Sequence, residues 1–119
     1  MIFVGVDIVP IIRIENLIKE RGNLFLNHIY TKLEQNICNS KKSPFIHYSG
    51  KFAAKEAVKK ALLSSKLTKD IPVVSIEIQN NDDGAPLVHI LKDSIKYKQL
   101  QVSISHAGEY ATATAILKL

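Results

Sequence analysis

The stretch from Pro44 to Ser64 contains no second proline and is rich in alanine and lysine. Ser43 offers a helix N-cap and Pro44 suits the first helical position, so the longest helix is predicted to run from there to about Ser64. A helix of that length in a chain of 119 residues must be the spine of the fold, with the other segments arranged around it.

Ahead of it, Ile2, Val4, Val6 and Ile8 alternate with Phe3, Gly5 and Asp7. That period predicts a strand with one wholly apolar face turned into the core and Asp7 aimed from the other, at the strand's end. Pro10 suits a first helical turn, after which Ile11, Ile14, Leu17 and Ile18 keep a helical period up to Gly22, with Arg13 off the stripe. Thr31 and Glu34 have the spacing of a capping box and predict a short helix. Beyond the long helix, Val74, Ile76 and Ile78 alternate with polar neighbours, Asn80 to Gly84 supply a turn, and Leu87 to Ile90 return as a partner. A brief helical stretch is expected near Lys92 to Tyr97. Val102 and Ile104 then alternate with Ser103 and Ser105, Ala107-Gly108 forms a loop, and a last strand follows through Tyr110 to Leu117. One early strand, a run of helices and a run of late strands predict an α+β fold, a mainly antiparallel sheet packed against one long helix and shorter ones.

No linker or repeat interrupts residues 1–119, which read as a single domain. At this size only about two-thirds of the unfolded surface is buried, which suits a site shared between subunits. The formal charge of +5 attracts anions: nucleic acid, phosphorylated cofactors, an acidic protein or a membrane surface. Cys38 is the only cysteine, so no intramolecular disulfide can form and a reducing cytoplasm is the expected compartment. The apolar opening from Ile2 to Ile12 lacks a basic flank, carries Asp7 and is too short to span a bilayer, so no membrane partner is expected.

Within the long helix, Phe52, Glu56 and Lys60 are four apart and share a face. Glu56 and Lys60 can therefore address one ligand, or form a solvated salt bridge worth about a few tenths of a kcal/mol. The surrounding motifs weigh on that choice. In order they are Gly5-Val6-Asp7-Ile8-Val9, Arg13-Ile14, Phe25 before Thr31-Lys32-Leu33-Glu34, Lys51-Phe52-Ala53-Ala54-Lys55-Glu56-Ala57, Gly84-Ala85-Pro86 and Val102-Ser103-Ile104-Ser105-His106. Taken together, and spread over nearly the whole chain, they resemble the bacterial holo-acyl-carrier-protein synthases of the phosphopantetheinyl transferase superfamily.

The resemblance implies the 4'-phosphopantetheinyl transferase fold and a magnesium-dependent transferase of fatty acid biosynthesis. It moves 4'-phosphopantetheine from coenzyme A to a serine of apo-acyl carrier protein and releases adenosine 3',5'-bisphosphate. It implies Asp7 and Glu56 as magnesium ligands, and magnesium favours one or two carboxylates completed by water and substrate phosphate. It implies Lys60 beside the pyrophosphate as a catalytic cation, and Lys51, Gly84, Pro86 and His106 at the nucleotide end of coenzyme A. The bland readings are a solvated lysine for Lys51, a backbone-bonded strand-end histidine for His106, and ordinary turn chemistry for Gly84 and Pro86. Arg13 matches a surface arginine that receives the carrier. Glu34 matches a carboxylate close to the metal site, although its capping box explains it too. A homotrimer with coenzyme A between subunits is also implied, and an acidic carrier accounts for the basic balance.

Lys51 stands where the family usually has arginine, Ala85 where it has lysine, and His28 where it has a basic residue, often arginine. A bidentate arginine contact is not reproduced by lysine, so phosphate contacts are either weaker or rebuilt from neighbours such as Lys41 and Lys42. The glycine that commonly follows the Lys-Ala segment is absent, since Ala61 is followed by Leu62 and Leu63. The serine proton falls either to Glu56 or to water on the metal. A small nucleic-acid-binding domain is the rival reading, resting on charge and lysine clusters, with no tryptophan and no known binding motif to support it. A non-catalytic descendant of the same fold is a third, against which Asp7, Glu56 and Lys60 stand together.

Overall fold

A computed structural model describes residues 1–119. Strand β1 (Ile2–Pro10) leads into helix α1 (Ile11–Arg21), followed by α2 (Asn23–Ile29), α3 (Lys32–Asn39) and the long α4 (Pro44–Ser65). A 3-10 turn (Val73–Ser75) precedes the hairpin of β2 (Ile76–Asn80) and β3 (Pro86–Ile90), and β4 (Gln99–Ala107) and β5 (Tyr110–Lys118) close the chain. The strands form two antiparallel sheets, ordered β1-β5-β4 and β2-β3, with α4 packed against both. The α+β reading holds, with a sheet divided in two.

Small side chains set how closely α4 lies on the larger sheet. Ala53, Ala54, Ala57, Val58 and Ala61 of α4 face Ala111, Ala113, Ala115 and Leu117 of β5, all buried. Contact is tightest at β1, where a Cβ on Gly5 would sit 1.8 Å from the Ala57 carbonyl oxygen. A second near approach joins Gly50 of α4 to β4, where an added Cβ would lie 2.9 Å from Ile104 Cγ2.

That contact reverses one expectation. Ile2, Val4, Val6 and Ile8 face outward and are 57–64% exposed, while the Phe3, Gly5, Asp7 side meets the helix. The strand turns its thinnest face to α4 because only Gly5 admits the helix backbone at this spacing. The apolar face is left on the outer side of the sheet, where Val4 and Ile116 are neighbours across the ladder. Asp7 is also not the strand's last residue, since pairing continues to Pro10 opposite Tyr110.

Other boundaries differ for local reasons. Gly22, at φ 58°, ends α1 as expected, but a new helix starts at once and buries Phe25 and Ile29. The Thr31–Glu34 capping box forms in full. Pro44 opens α4, yet the Ser43 side chain makes no cap bond. With no glycine after Ala61, α4 runs on to Ser65 and Lys66 adopts the left-handed conformation at φ 63°. Residues 92–97 form no helix; a single turn, with the Ile95 amide donating to the Lys92 carbonyl at 3.2 Å, buries Ile95. Asp93 and Ser94 favour such a turn by competing for backbone bonds.

Gly5→Ala forces β1 and α4 apart. Its unfolding free energy, read from a denaturant titration, is expected to fall by about 3 kcal/mol or more. Wild-type stability would mean that the helix can withdraw freely.

Candidate active site

Asp7 projects from the α4-facing side of β1, and its carboxylate is only 17% exposed. Lys60 Nζ donates to Asp7 Oδ1 at 3.1 Å and to the Val6 carbonyl at 2.9 Å. The helical salt bridge between Glu56 and Lys60 is therefore not made, because Lys60 turns to the strand. Glu56 sits one turn earlier, beside the Ala57 carbonyl that abuts Gly5, half-buried and engaged by no side-chain bond or ion pair. Asp7 and Lys60 thus meet across the β1–α4 seam, with Glu56 one helical turn before Lys60.

No cluster of three or more histidine, cysteine, aspartate or glutamate side chains converges anywhere in the chain. A metal at the seam would receive at most Asp7 and Glu56 from the protein. That donor set suits magnesium, which takes few protein carboxylates and completes its octahedron with water and phosphate. The ammonium now on Asp7 already shows that the carboxylate attracts a cation.

The other candidates gather further toward the start of α4. Lys51, Gly84, Pro86 and His106 line one cleft of about 250 Å³. Asp7, Glu56 and Lys60 do not line it; Lys51 and Lys60 are nine residues apart, roughly 13 Å along a helix axis. Lys51 is not a solvated helix lysine. It is 5% exposed and its ammonium donates to the Ile78 carbonyl and to Asn80 Oδ1, each at 3.0 Å. Burial holds its pKa below the usual lysine range. His106 is exposed at the cleft's rim on β4, and Arg13 is exposed on α1 without an ion-pair partner.

Glu34 performs the structural half of its expected work. One carboxylate oxygen accepts from the Thr31 amide at 2.8 Å and from Lys55 Nζ, and the other accepts from the Ile78 amide at 2.7 Å. Both side chains of the Glu34–Lys55 pair are fully buried. Lys55 also lies over the Tyr30 ring, 5.7 Å from its centroid. Burial lowers its pKa, opposed by the Glu34 charge. Ile78 is thus held on both sides by charged groups, its amide by Glu34 and its carbonyl by Lys51. These bonds finish the outer edge of β2 as a neighbouring strand would. Sequence reasoning missed Lys55, since nothing in the Ala-Ala-Lys-Glu pattern separates it from the surface Lys59.

A family model described as the 4'-phosphopantetheinyl transferase superfamily matches residues 3–115. The chain belongs to this superfamily. Relatives include the holo-[acyl-carrier-protein] synthase of Protochlamydia amoebophila, 43% identical with 95% of this chain and 94% of that one aligned. That of Thermodesulfovibrio yellowstonii is 40% identical, covering 96% of both. Among solved structures, the Helicobacter pylori holo-[acyl-carrier-protein] synthase in complex with coenzyme A superposes with a TM-score of 0.80 at 30% identity, covering 97% of this chain and 99% of that one. The Chronobacterium ammoniagenes ACPS–CoA complex gives a TM-score of 0.85 at 25% identity, covering 99% and 97%. Of the lysines that suggested a nucleic-acid surface, Lys51 and Lys55 are buried, and Lys59 and Lys60 pair with Asp70 and Asp7.

Lys55→Met strands the buried Glu34 carboxylate and is expected to cost about 3–5 kcal/mol of stability in a denaturant titration. Adding Glu34→Gln to it should restore more than half of that loss. A double variant no more stable than Lys55→Met would show that the pair's charges are not what the fold relies on.

Proposed function

We propose that the protein is a holo-[acyl-carrier-protein] synthase, transferring 4'-phosphopantetheine from coenzyme A to a serine of an apo-acyl carrier protein. The observation that carries this reading is the Asp7–Lys60 contact beside an unengaged Glu56, in a chain aligned nearly end to end with enzymes of that name. The serine hydroxyl attacks the phosphorus bearing the pantetheine arm in line with the departing group. The new bond is serine oxygen to phosphorus, and the bond broken leads to the 5'-phosphate of adenosine 3',5'-bisphosphate. Glu56, whose carboxylate no residue of the chain engages, would take the serine proton, directly or through a water held by a carboxylate. Lys60 releases Asp7 and meets the charge developing on the leaving phosphate. Asp7 and Glu56 would hold magnesium, which when bound supplies charge neutralisation at the pyrophosphate. Lys51, Gly84, Pro86 and His106 would face the nucleotide end, and Arg13 the acidic carrier, whose approach the net charge of +5 favours.

We further infer a homotrimer with the site between subunits, working in cytoplasmic fatty acid biosynthesis. The support on this chain is the outward apolar face of β1, since four consecutive outward residues, Ile2, Val4, Val6 and Ile8, all more than half exposed, form a patch that association would bury. No helix is long and apolar enough to cross a membrane.

Incubation with apo-acyl carrier protein, coenzyme A and magnesium should add one phosphopantetheine to the carrier by mass spectrometry. Chelator should abolish the gain and Asp7→Ala should slow it by at least about a hundredfold. A gain that survives both would remove the metal role, and no gain with a competent carrier would remove the activity. Val6→Lys, with charge in the apolar patch, is expected to sediment as monomer and to lose turnover. An active monomer would contradict the shared site.

A further inference from the structure

Lys51, Lys55 and Lys59 stand four apart and form one row along α4, and each is tied to a group off the helix: Lys51 to the Ile78 carbonyl and Asn80, Lys55 to Glu34, Lys59 to Asp70. The middle tie is an ion pair with both side chains fully buried, whereas Asp70 is 80% exposed. Glu34 has no freedom to follow a moving partner. Its carboxylate also accepts from the Thr31 amide at the N-cap of α3 and from the Ile78 amide of β2. At about 100° per residue, Ala57 lies on nearly the opposite side of α4 from Lys55, and Glu56 lies between them. The Ala57 side rests on Gly5, and there the contact is smooth, with no side chain on the strand residue and only methyl groups at Ala53, Ala57 and Ala61. Such a contact fixes how close α4 lies to β1 but offers little resistance to a turn of the helix about its axis. Lys60 ties α4 to Asp7 on this side, yet it is half-exposed and leaves Asp7 in the reaction proposed above. The lasting resistance has to come from the opposite row.

We propose that Lys55, held by Glu34, is a positioning residue of the transferase: it sets the rotation of α4 about its axis and thereby presents Glu56 and Lys60 to Asp7. The inference rests on the transfer reaction proposed above and gives Lys55 no contact with substrate. Buried ion pairs can often be replaced by apolar side chains of similar volume without loss of stability, so packing alone does not call for one here. An apolar side chain at residue 55 would fill the space but leave the rotation loosely specified, because apolar burial is non-directional. A charge-assisted hydrogen bond to a carboxylate fixed by two backbone amides is directional. Glu56 follows Lys55 in sequence, so any rotation that releases Glu34 carries the Glu56 carboxylate with it. Catalytic constellations tolerate misplacement of only about 0.5 Å.

The double variant Glu34→Gln/Lys55→Met removes the tie without stranding a charge. Once shown to be folded by denaturant titration, it is expected to turn over about tenfold more slowly than wild type, with KM for coenzyme A changed less than about twofold. Its affinity for manganese, read from the free-ion electron paramagnetic resonance signal with coenzyme A present, should fall about tenfold. Lys59→Ala removes the same charge one turn further on, and because that pair is exposed it should keep wild-type values. If the double variant does not fold, Glu34→Asp serves in its place, since it keeps both charges and shortens the tie by one methylene; the same shifts in kcat and manganese affinity are expected. Wild-type kcat and manganese affinity in the folded variant would overturn the assignment alone, as would an equal loss in Lys59→Ala. No turnover by the wild-type protein with a competent carrier would overturn the transferase reading itself.

Discussion

Everything in this protein is arranged around the contact between β1 and the middle of α4. Helices usually rest on sheets through a layer of side chains, but here Gly5 brings strand and helix backbone together, with the alanines of α4 and β5 extending the close approach along the sheet. Two consequences follow from that single constraint. Asp7, two residues past Gly5 on the same face, is brought within reach of Lys60. Ile2, Val4, Val6 and Ile8 fall on the opposite side, where they make an exposed apolar surface instead of a core.

The near end of α4 is held by charge. Lys51 and Lys55 are one turn apart and both disappear into the interior, one to the Ile78 carbonyl and Asn80, the other to Glu34. Buried ion pairs contribute little to stability in themselves, because desolvation offsets most of the attraction. Here they set geometry: Glu34 ties α3, α4 and β2 at one carboxylate, which fixes the roll of the helix and so the direction in which the next face, with Glu56 and Lys60, points. The same bonds build the wall of the cleft lined by Lys51, Gly84, Pro86 and His106, so the two ends of the candidate site are aligned by one helix.

Much of this could be read from local patterns. The capping box at Thr31 and Glu34, the hairpin turned by Asn80 to Gly84, and the helix opened by Pro44 all depend on residues close in sequence. The motif set from Gly5 to His106 pointed to the superfamily. What remained hidden depends on distant partners. Alternation in β1 shows two faces but not which one meets the helix, and that choice turns on a glycine and an alanine carbonyl over fifty residues apart. Lys55 reads as a surface lysine because Glu34, its partner, lies 21 positions away. Glu34 looked fully explained by its cap, and the ion pair and the Ile78 amide use the rest of its carboxylate. The Glu56–Lys60 spacing suggested a helical salt bridge, whereas Lys60 prefers a strand carboxylate and backbone carbonyl together.

The central claim is that the β1–α4 seam is a two-carboxylate cation site which Lys60 vacates on loading. A crystal structure grown with coenzyme A and manganese, an anomalous scatterer standing in for magnesium, tests it most directly. The account predicts an anomalous peak bonded to carboxylate oxygens of both Asp7 and Glu56, with Lys60 turned from Asp7 to a phosphate. A peak elsewhere, with the Lys60–Asp7 contact intact, would contradict it.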